Sequence, residues 1–216
     1  MKETPIDYII FTDASLKSSR ITKREYCGYA VVLLNTATKE YTEFSGELGG
    51  MTSMYGEAFA VFKGMQKLVQ ITADEYDEKS LQVLLVSDSK NVVETLNLYI
   101  PFLWDTSDPK YWRKVDGTRV KNQNLFRRIL GIIQKHPEIK FRITHINSHK
   151  NTITEWEKAQ TRLSQYNIWV NKTTAQLFME MNAKADELAQ EVTKQMREKE
   201  EREGKFMRLK WRPTAL

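Results

Sequence analysis

The sequence contains a single cysteine, Cys27, and has no apolar run that approaches the length of a membrane-spanning helix. One cysteine excludes an internal disulfide framework and is typical of a reducing compartment. The strand-like neighbours of Cys27 predict a small buried side chain. A bilayer-spanning helix needs about 20 apolar residues, and the apolar stretch before Thr12 is too short for the core of a secretion signal. We therefore expect a soluble, cytoplasmic protein, and no internal repeat is visible.

Acidic residues are outnumbered in this chain. The 33 Lys and Arg against 28 Asp and Glu leave a net charge of +5 and a pI near 9.1. A basic balance favours a polyanionic partner such as nucleic acid, but many ordinary enzymes are equally basic, so charge alone does not decide. An apolar content of 41% is enough for a proper core. The 216 residues suit one large domain or one domain with additions.

Apolar periodicity predicts an α/β protein with helices packed on a mixed sheet. The first three predicted strands form an antiparallel meander, and Gly28 in the second marks a bulge or a close backbone approach. The predicted strands are Tyr8–Thr12, Tyr26–Asn35, Tyr41–Ser45, Leu81–Val86 and Lys140–Ile146. One predicted helix has an apolar stripe over residues 58–69. The other three cover Ser89–Leu98, Asn122–Lys135 and Asn182–Glu203.

Three segments do not follow these patterns, although we expect residues 5–204 to form a single domain. Residues 99–121 are irregular, aromatic and basic. Residues 150–181 have no clear periodicity and read as an insertion with one or two helical pieces. Residues 205–216 form a basic tail that is a candidate contact for nucleic acid or a partner protein.

Four acidic residues lie where predicted elements begin or end. Asp13 and Asp88 follow apolar strands, where side chains emerge at the rim of a sheet. Glu57 opens a predicted helix, and Asp186 lies beside the apolar stripe of another. Converging carboxylates repel one another and lose hydration, so a fold assembles them chiefly to hold hard cations such as Mg²⁺. The alternative is that each is an ordinary surface or helix-start carboxylate.

The local contexts of these residues, taken in order, resemble ribonuclease H (RNase H) of the bacterial class I type from Tyr8 to about Val192. Six segments carry the resemblance: Ile-Phe-Thr-Asp-Ala-Ser at 10–15, Gly-Glu-Ala-Phe-Ala-Val at 56–61, Ser-Asp-Ser at 87–89, Val-Lys-Asn-Gln-Asn-Leu-Phe at 120–126, His-Ile-Asn-Ser-His at 145–149 and Asn-Ala-Lys-Ala-Asp-Glu-Leu-Ala at 182–189. The order of the four acidic residues, Asp, Glu, Asp, Asp, argues against two related families. Retroviral-type integrases place their glutamate last, and proofreading-type exonucleases carry Asp-x-Glu where this chain has Asp13-Ala14-Ser15.

The resemblance implies an RNase H-like fold, with a five-stranded sheet of three antiparallel and then two parallel strands flanked by helices. It also implies Mg²⁺-dependent hydrolysis of the RNA strand of RNA–DNA hybrids by two ions, with Mn²⁺ as a possible substitute, leaving 5′-phosphate and 3′-hydroxyl ends. Asp13 would bridge both ions, with Glu57 and Asp88 on one side and Asp186 on the other. His149 would lie in a mobile loop and assist proton transfer or product release. We expect His145 and His136 to be structural.

The resemblance also assigns substrate contacts. The backbone at Ala14 and Ser15 would face the RNA strand, and Thr52 and Asn122 would hold a DNA phosphate. Thr52 has an alternative role as a helix N-cap. The other predicted contacts are Ser53 and Lys90, which replace the more usual asparagine and glutamine, and Trp112 and Lys114, in a segment placed like the handle that grips DNA in bacterial enzymes.

We expect a monomer that removes RNA from hybrids during replication or repair and that meets replication or repair proteins through its C-terminal tail. No separate N-terminal hybrid-binding module is visible. Two alternatives remain open at this point. One is a catalytically silent RNase H-like domain that binds nucleic acid or protein. The other is a related DNA nuclease such as a junction resolvase.

Overall fold

The structure is a computed structural model that describes residues 6–19, 23–73, 80–146, 157, 161, 164 and 172–210. His149, most of the predicted insertion and residues 211–216 lie outside the described residues. Within the described part of the chain, no helix combines the length and apolar character that crossing a bilayer requires.

A five-stranded sheet forms the centre of the protein, and its strand order is β3-β2-β1-β4-β5. β1 pairs antiparallel with β2 and β2 with β3, whereas β4 lies parallel to both β1 and β5. This topology confirms the predicted fold class. The strands are β1 Tyr8–Ser18, β2 Glu25–Asn35, β3 Tyr41–Leu48, β4 Leu81–Ser87 and β5 Ile139–His145.

Strand β1 is longer than predicted, because it continues beyond its apolar stretch. Its parallel pairing with β4 ends at Thr12 opposite Ser87, while its antiparallel pairing with β2 runs on to Ser18. Asp13 therefore lies inside β1 and pairs with Ala30, rather than capping the strand. The polar residues after Thr12 remain extended because β2 supplies their ladder partners.

In the described part of the chain, four α-helices surround the sheet: α1 Ser53–Ile71, α2 Lys90–Glu94, α3 Gln123–Lys135 and α4 Lys172–Lys210. A π-helical segment, Thr95–Leu103, extends α2 and contains Pro101. Proline lacks the N–H of the regular helical bond, and a wider turn accommodates this loss. Helix α4 begins ten residues before the predicted start at Asn182 and ends beyond Glu203.

Two apolar cores lie on opposite faces of the sheet. Ile10 belongs to the core under α1 and α3, whereas its neighbours Ile9 and Phe11 belong to the core under α4. Since successive side chains of a strand alternate between faces, a strand buried on both faces is apolar throughout. Phe178 explains the longer α4: its ring meets that of Phe11 edge to face, with centroids 4.9 Å apart.

Candidate active site

The sheet register brings Asp13 and Asp88 together. Thr12 and Ser87 are the last paired residues of β1 and β4, so the two aspartates follow side by side at the point where the strands separate. Below them, Thr12 Oγ1 donates to the carbonyl of Val86 over 3.2 Å. The parallel pair thus delivers two carboxylates to one rim of the sheet, as predicted from their positions after apolar runs.

Helices α1 and α4 supply the other two carboxylates from opposite faces of the sheet. Glu57 lies just after the first turn of α1, and one oxygen from each of Asp13, Glu57 and Asp88 lies within 4.8 Å of the others. Asp186 on α4 is hydrogen-bonded to Asp13. Its Oδ1 also accepts a bond from Gln190 Nε2 over 2.7 Å. All four predicted acidic residues therefore meet.

Burial makes this cluster electrostatically costly. Asp13 is 7% exposed and Glu57 is 6% exposed. Burial, followed by repulsion from Asp88 and the contact with Asp186, raises the pKa of Asp13 to about 8, although the N–H of Ala14 donates to its Oδ1 over 2.8 Å. Burial, followed by the charges of Asp13 and Asp88, raises the pKa of Glu57 well above its usual range. A bound cation or protons would relieve this repulsion.

The donor set fits hard divalent cations. Every ligand atom offered is a carboxylate oxygen, which Mg²⁺ and Mn²⁺ accept. Among the described residues, Glu57 Oε2 is buried and has no hydrogen-bond partner, which a bound cation would supply. Burial, and then the charges of Glu57 and Asp13, raise the pKa of Cys27 to about 11, so it stays a neutral thiol.

Two supporting contacts place the carboxylates. Gly56 brings the start of α1 down onto the sheet, because a Cβ there would lie 2.5 Å from Cys27 Sγ and 3.0 Å from Ala14 Cβ. On the other side, His145 Nε2 donates to the backbone carbonyl of Asp88 over 2.9 Å. The prediction treated His145 as structural, and the structure shows that it holds the residue that bears a site carboxylate.

Thr52 and Asn122 line a cavity of about 730 Å³ that also contains Lys114 and Asn91, the latter three residues after Asp88 in the chain. Thr52 is the N-cap of α1 and its Oγ1 accepts from the N–H of Tyr55 over 3.3 Å, which confirms the alternative role. Asn122 precedes α3 in the left-handed region, with φ of 61°, where asparagine is enriched. Both side chains remain solvent-accessible at the cavity.

The structure corrects the prediction for Trp112, which was expected to contact the substrate. Its side chain is 5% exposed and belongs to the core under α1 and α3. Its backbone N–H donates to Gln123 Oε1 over 2.7 Å, and Arg127 Cζ lies 5.3 Å from its ring centroid. Burial of a large ring outweighs any gain from exposing it to a substrate. Of the two tryptophans that the structure describes, Trp104 lines the cavity.

The remaining predicted contacts lie at the surface or the rim. Lys90 is exposed and pairs with Glu94 over 3.4 Å. Ser53 is the exposed first residue of α1. Ala14 and Ser15 continue β1 beyond Asp13 and are half-buried. His149 lies outside the described residues.

Sheet order, helix placement and the acidic cluster together define an α/β protein with a carboxylate site at the rim of a mixed sheet. The family model for RNase H matches residues 5–194. This chain belongs to the RNase H family. No curated protein sequence matches the chain.

Solved structures share this fold. Prototype foamy virus protease–reverse transcriptase is 22% identical with a TM-score of 0.58, and the match covers 87% of this chain but 21% of that one. The isolated RNase H domain of the same virus is 21% identical over 88% of this chain and 96% of its own, with a TM-score of 0.56. LC11-RNase H1, isolated from compost and solved in complex with an RNA/DNA hybrid, is 16% identical over 88% and 98% of the two chains, with a TM-score of 0.53.

Proposed function

We propose that this chain is a metal-dependent endoribonuclease that hydrolyses the RNA strand of RNA–DNA hybrids and leaves 5′-phosphate and 3′-hydroxyl ends. The observation that carries the proposal is the meeting of Asp13, Glu57, Asp88 and Asp186 at one rim of the sheet. Family membership supports it. The structural relative LC11-RNase H1 has been solved with an RNA/DNA hybrid, the substrate class that we assign here.

Two Mg²⁺ ions, or Mn²⁺ in their place, are the cofactors that we assign to these carboxylates. Asp13 would contact both ions, Glu57 and Asp88 one, and Asp186 the other. When bound, such ions activate a water molecule and stabilise the negative charge of the leaving oxygen. The raised pKa of Asp13 and of Glu57 means that protons compete with the ions for these side chains.

The protein's own contribution is to hold the carboxylates and the substrate in a fixed relation. The N–H of Ala14 keeps one Asp13 oxygen in place, and His145 holds the carbonyl of Asp88. Because these hydrogen bonds already hold the carboxylates in place, the site needs to rearrange less during the reaction. We assign His149, which lies outside the described residues, an auxiliary role in proton transfer or product release.

The cavity lined by Thr52 and Asn122 is the proposed contact for the DNA strand. Thr52 and Asn122 offer neutral donors to a phosphate, and Lys114 and Lys121 add positive charge in the same lining. Charge of this kind supplies salt-dependent affinity without reading sequence. The half-buried backbone at Ala14 and Ser15 lies beside Asp13, where the RNA strand would pass.

A cleavage assay with three substrates tests the proposal. Equal amounts of RNA–DNA hybrid, duplex DNA and duplex RNA are incubated with the protein, with Mg²⁺ and with EDTA. We expect cleavage of the hybrid alone, on its RNA strand and only with Mg²⁺. Cleavage of duplex DNA would indicate a DNA nuclease, and binding without cleavage a silent domain. Either result would overturn the proposal.

A pair of neighbouring residues on α4 provides a matched control. Asp186→Asn removes a site carboxylate, whereas Glu187→Gln removes a charge from the exposed residue beside it. We expect Asp186→Asn to lower kcat by at least about 100-fold, since metal contributions reach several kcal/mol, and Glu187→Gln to leave it nearly unchanged. Equal activity of the two variants would exclude Asp186 from the site.

A further inference from the structure

A buried hydroxyl joins helix α4 to the two strands that it covers. Thr193 is fully buried, and its Oγ1 accepts from the N–H of Gly28 over 3.0 Å. The hydroxyl also donates, and its single hydrogen is shared between the carbonyl of Ser15 at 3.0 Å and that of Ala189 at 2.8 Å. Gly28 and Ser15 are paired residues of β2 and β1. One side chain thus bridges three elements.

Gly28 allows this close approach. A Cβ at this position would lie 2.7 Å from both Thr193 Oγ1 and the carbonyl oxygen of Ala189. A Cβ that lay less than 3.0 Å from these oxygens would clash with them. The absence of a side chain at Gly28 therefore brings the α4 backbone directly onto the β1–β2 ladder, as the sequence predicted in its alternative of a close backbone approach.

The Thr193 bridge joins the two elements that carry Asp13 and Asp186. Ser15, whose backbone carbonyl accepts from Thr193, follows Asp13 by two residues on β1. Asp186 precedes Thr193 on α4 by about two helical turns, so both lie on the same side of the helix. The hydroxyl therefore connects the strand that carries Asp13 with the helix that carries Asp186.

The other contacts of α4 on the N-terminal side of Asp186 are less able to fix its position. Phe178, Met181 and Ala185 pack in the core under α4, but apolar burial is non-directional and tolerates small shifts along the helix axis. The ion pair Lys184–Glu43, at 2.8 Å, involves partly exposed side chains. Exposed pairs of this kind constrain a helix weakly. A buried, directional hydrogen bond is the stronger constraint.

We propose that Thr193 is a positioning residue for the metal site, because its hydroxyl locks α4 to the β1–β2 ladder and so holds Asp186 beside Asp13. The inference rests on the proposed function for its catalytic consequence. Its effect on cation binding is separate and can be measured without a substrate.

Three variants test the role of the hydroxyl. Thr193→Val removes it at nearly constant volume, and Thr193→Ser retains it. Thr72→Val is the matched control, because Thr72 is also fully buried and donates to the carbonyl of Leu68, at the C-terminal end of α1. Each variant is titrated with Mn²⁺ alone, and the free ion is counted by electron paramagnetic resonance. Thermal unfolding reports whether each variant is folded.

We expect Thr193→Val to weaken Mn²⁺ binding by about tenfold, the scale of effects at residues that orient ligands. Thr193→Ser should bind as the wild type does, and Thr72→Val should lose stability without losing affinity. In the cleavage assay, Thr193→Val should lower kcat and leave the KM for the hybrid unchanged, because the substrate contacts are intact. Wild-type Mn²⁺ affinity in folded Thr193→Val would overturn the proposal, and so would an equal loss in Thr193→Ser.

If Thr193→Val does not fold, Gly28→Ala carries the test. Its added methyl group pushes α4 from the ladder while Thr193 remains, so we expect the same loss of Mn²⁺ affinity, and unchanged affinity overturns the inference. A wild-type protein that binds Mn²⁺ but cleaves nothing refutes the proposed function and leaves this test intact. A wild-type protein that binds no Mn²⁺ overturns the inference itself.

Discussion

Gly56 of helix α1 lies directly against Cys27 of strand β2, so that a Cβ on Gly56 would stand 2.5 Å from the cysteine sulfur. This contact sets how closely the start of α1, where Glu57 directly follows Gly56, approaches the sheet. Neither residue takes part in chemistry, yet their small size decides where a site carboxylate lies. Each is replaceable, so the relationship can be measured.

We predict that Gly56→Ala destabilises the protein by about 1–3 kcal/mol, the usual cost of overpacking a filled core. Cys27→Ala should recover part of that loss in the double variant, because it removes the atom with which the new methyl group collides. Gly131→Ala is the control: it also lies in a helix, but a Cβ there meets nothing within 4 Å. That variant should gain about 0.5–1 kcal/mol. Additive losses in the cycle would contradict the proposed contact.

The carboxylate cluster predicts an unusual dependence of stability on pH in the metal-free protein. The pKa of Asp13 is about 8 in the folded protein, against an ordinary value of 3.8. Between these values the folded state binds more protons than the unfolded state, so the free energy of unfolding falls as pH rises. The stability from protonated Asp13 is fully present below 3.8 and is lost as pH passes about 8.

In EDTA, the Tm of the wild type should therefore fall between about pH 5 and about pH 8. Asp13→Asn should flatten this fall, since asparagine does not titrate, and should raise the Tm at the upper pH. Glu187→Gln should leave the slope unchanged, because that residue is exposed. An identical slope in wild type and Asp13→Asn would show that Asp13 titrates normally.

Divalent cations should reverse this destabilisation. Binding to the folded state alone stabilises by about 2.7 kcal/mol when the free ion is at about 100 times its Kd. The ions require ionised carboxylates, so the gain in Tm from Mg²⁺ should be larger at about pH 8 than at about pH 5. Asp13→Asn should abolish most of the gain, which differential scanning calorimetry measures. An equal gain at both pH values would place the ions elsewhere.

Lys114 should contribute to hybrid affinity through charge alone. It is exposed and lines the cavity with Thr52 and Asn122. Lys114→Ala should weaken hybrid binding similarly for different sequences and reduce the slope of log K against log salt by about 1. Lys194→Ala is the control, because that lysine is exposed on α4, across the sheet from the cavity. Equal effects of the two variants would indicate only a general contribution of net charge.

Trp112 should act on stability. The ring is 5% exposed and packs in the core under α1 and α3, so Trp112→Ala should cost about 3–5 kcal/mol. Phe102→Ala is the aromatic control: Phe102 is 76% exposed, and surface changes of this kind stay within about 0.5 kcal/mol. Denaturant unfolding compares them. A loss of hybrid affinity in folded Trp112→Ala, with little loss of stability, would restore the contact predicted from the sequence.

Local pattern predicted the strands, most of the helices and the four acidic residues, because periodicity and short motifs report what each segment buries. It was less successful where a partner distant in the chain decides the outcome. Strand β1 continues beyond its apolar run because β2 pairs with it. Helix α4 begins earlier than predicted because Phe178 packs against Phe11. In both cases the partner is remote in the chain, so the local sequence does not indicate it.

The sequence by itself determined the class of fold, the family and the identity of the four carboxylates, since these follow from residue type and order. Only the tertiary structure decided how those carboxylates interact. Sheet register sets Asp13 beside Asp88, and the Gly28–Thr193 contact brings α4 close to β1. Burial then raises the pKa of Asp13 to about 8. Distance and dielectric environment arise from packing between segments that are remote in the chain, and a linear pattern contains neither.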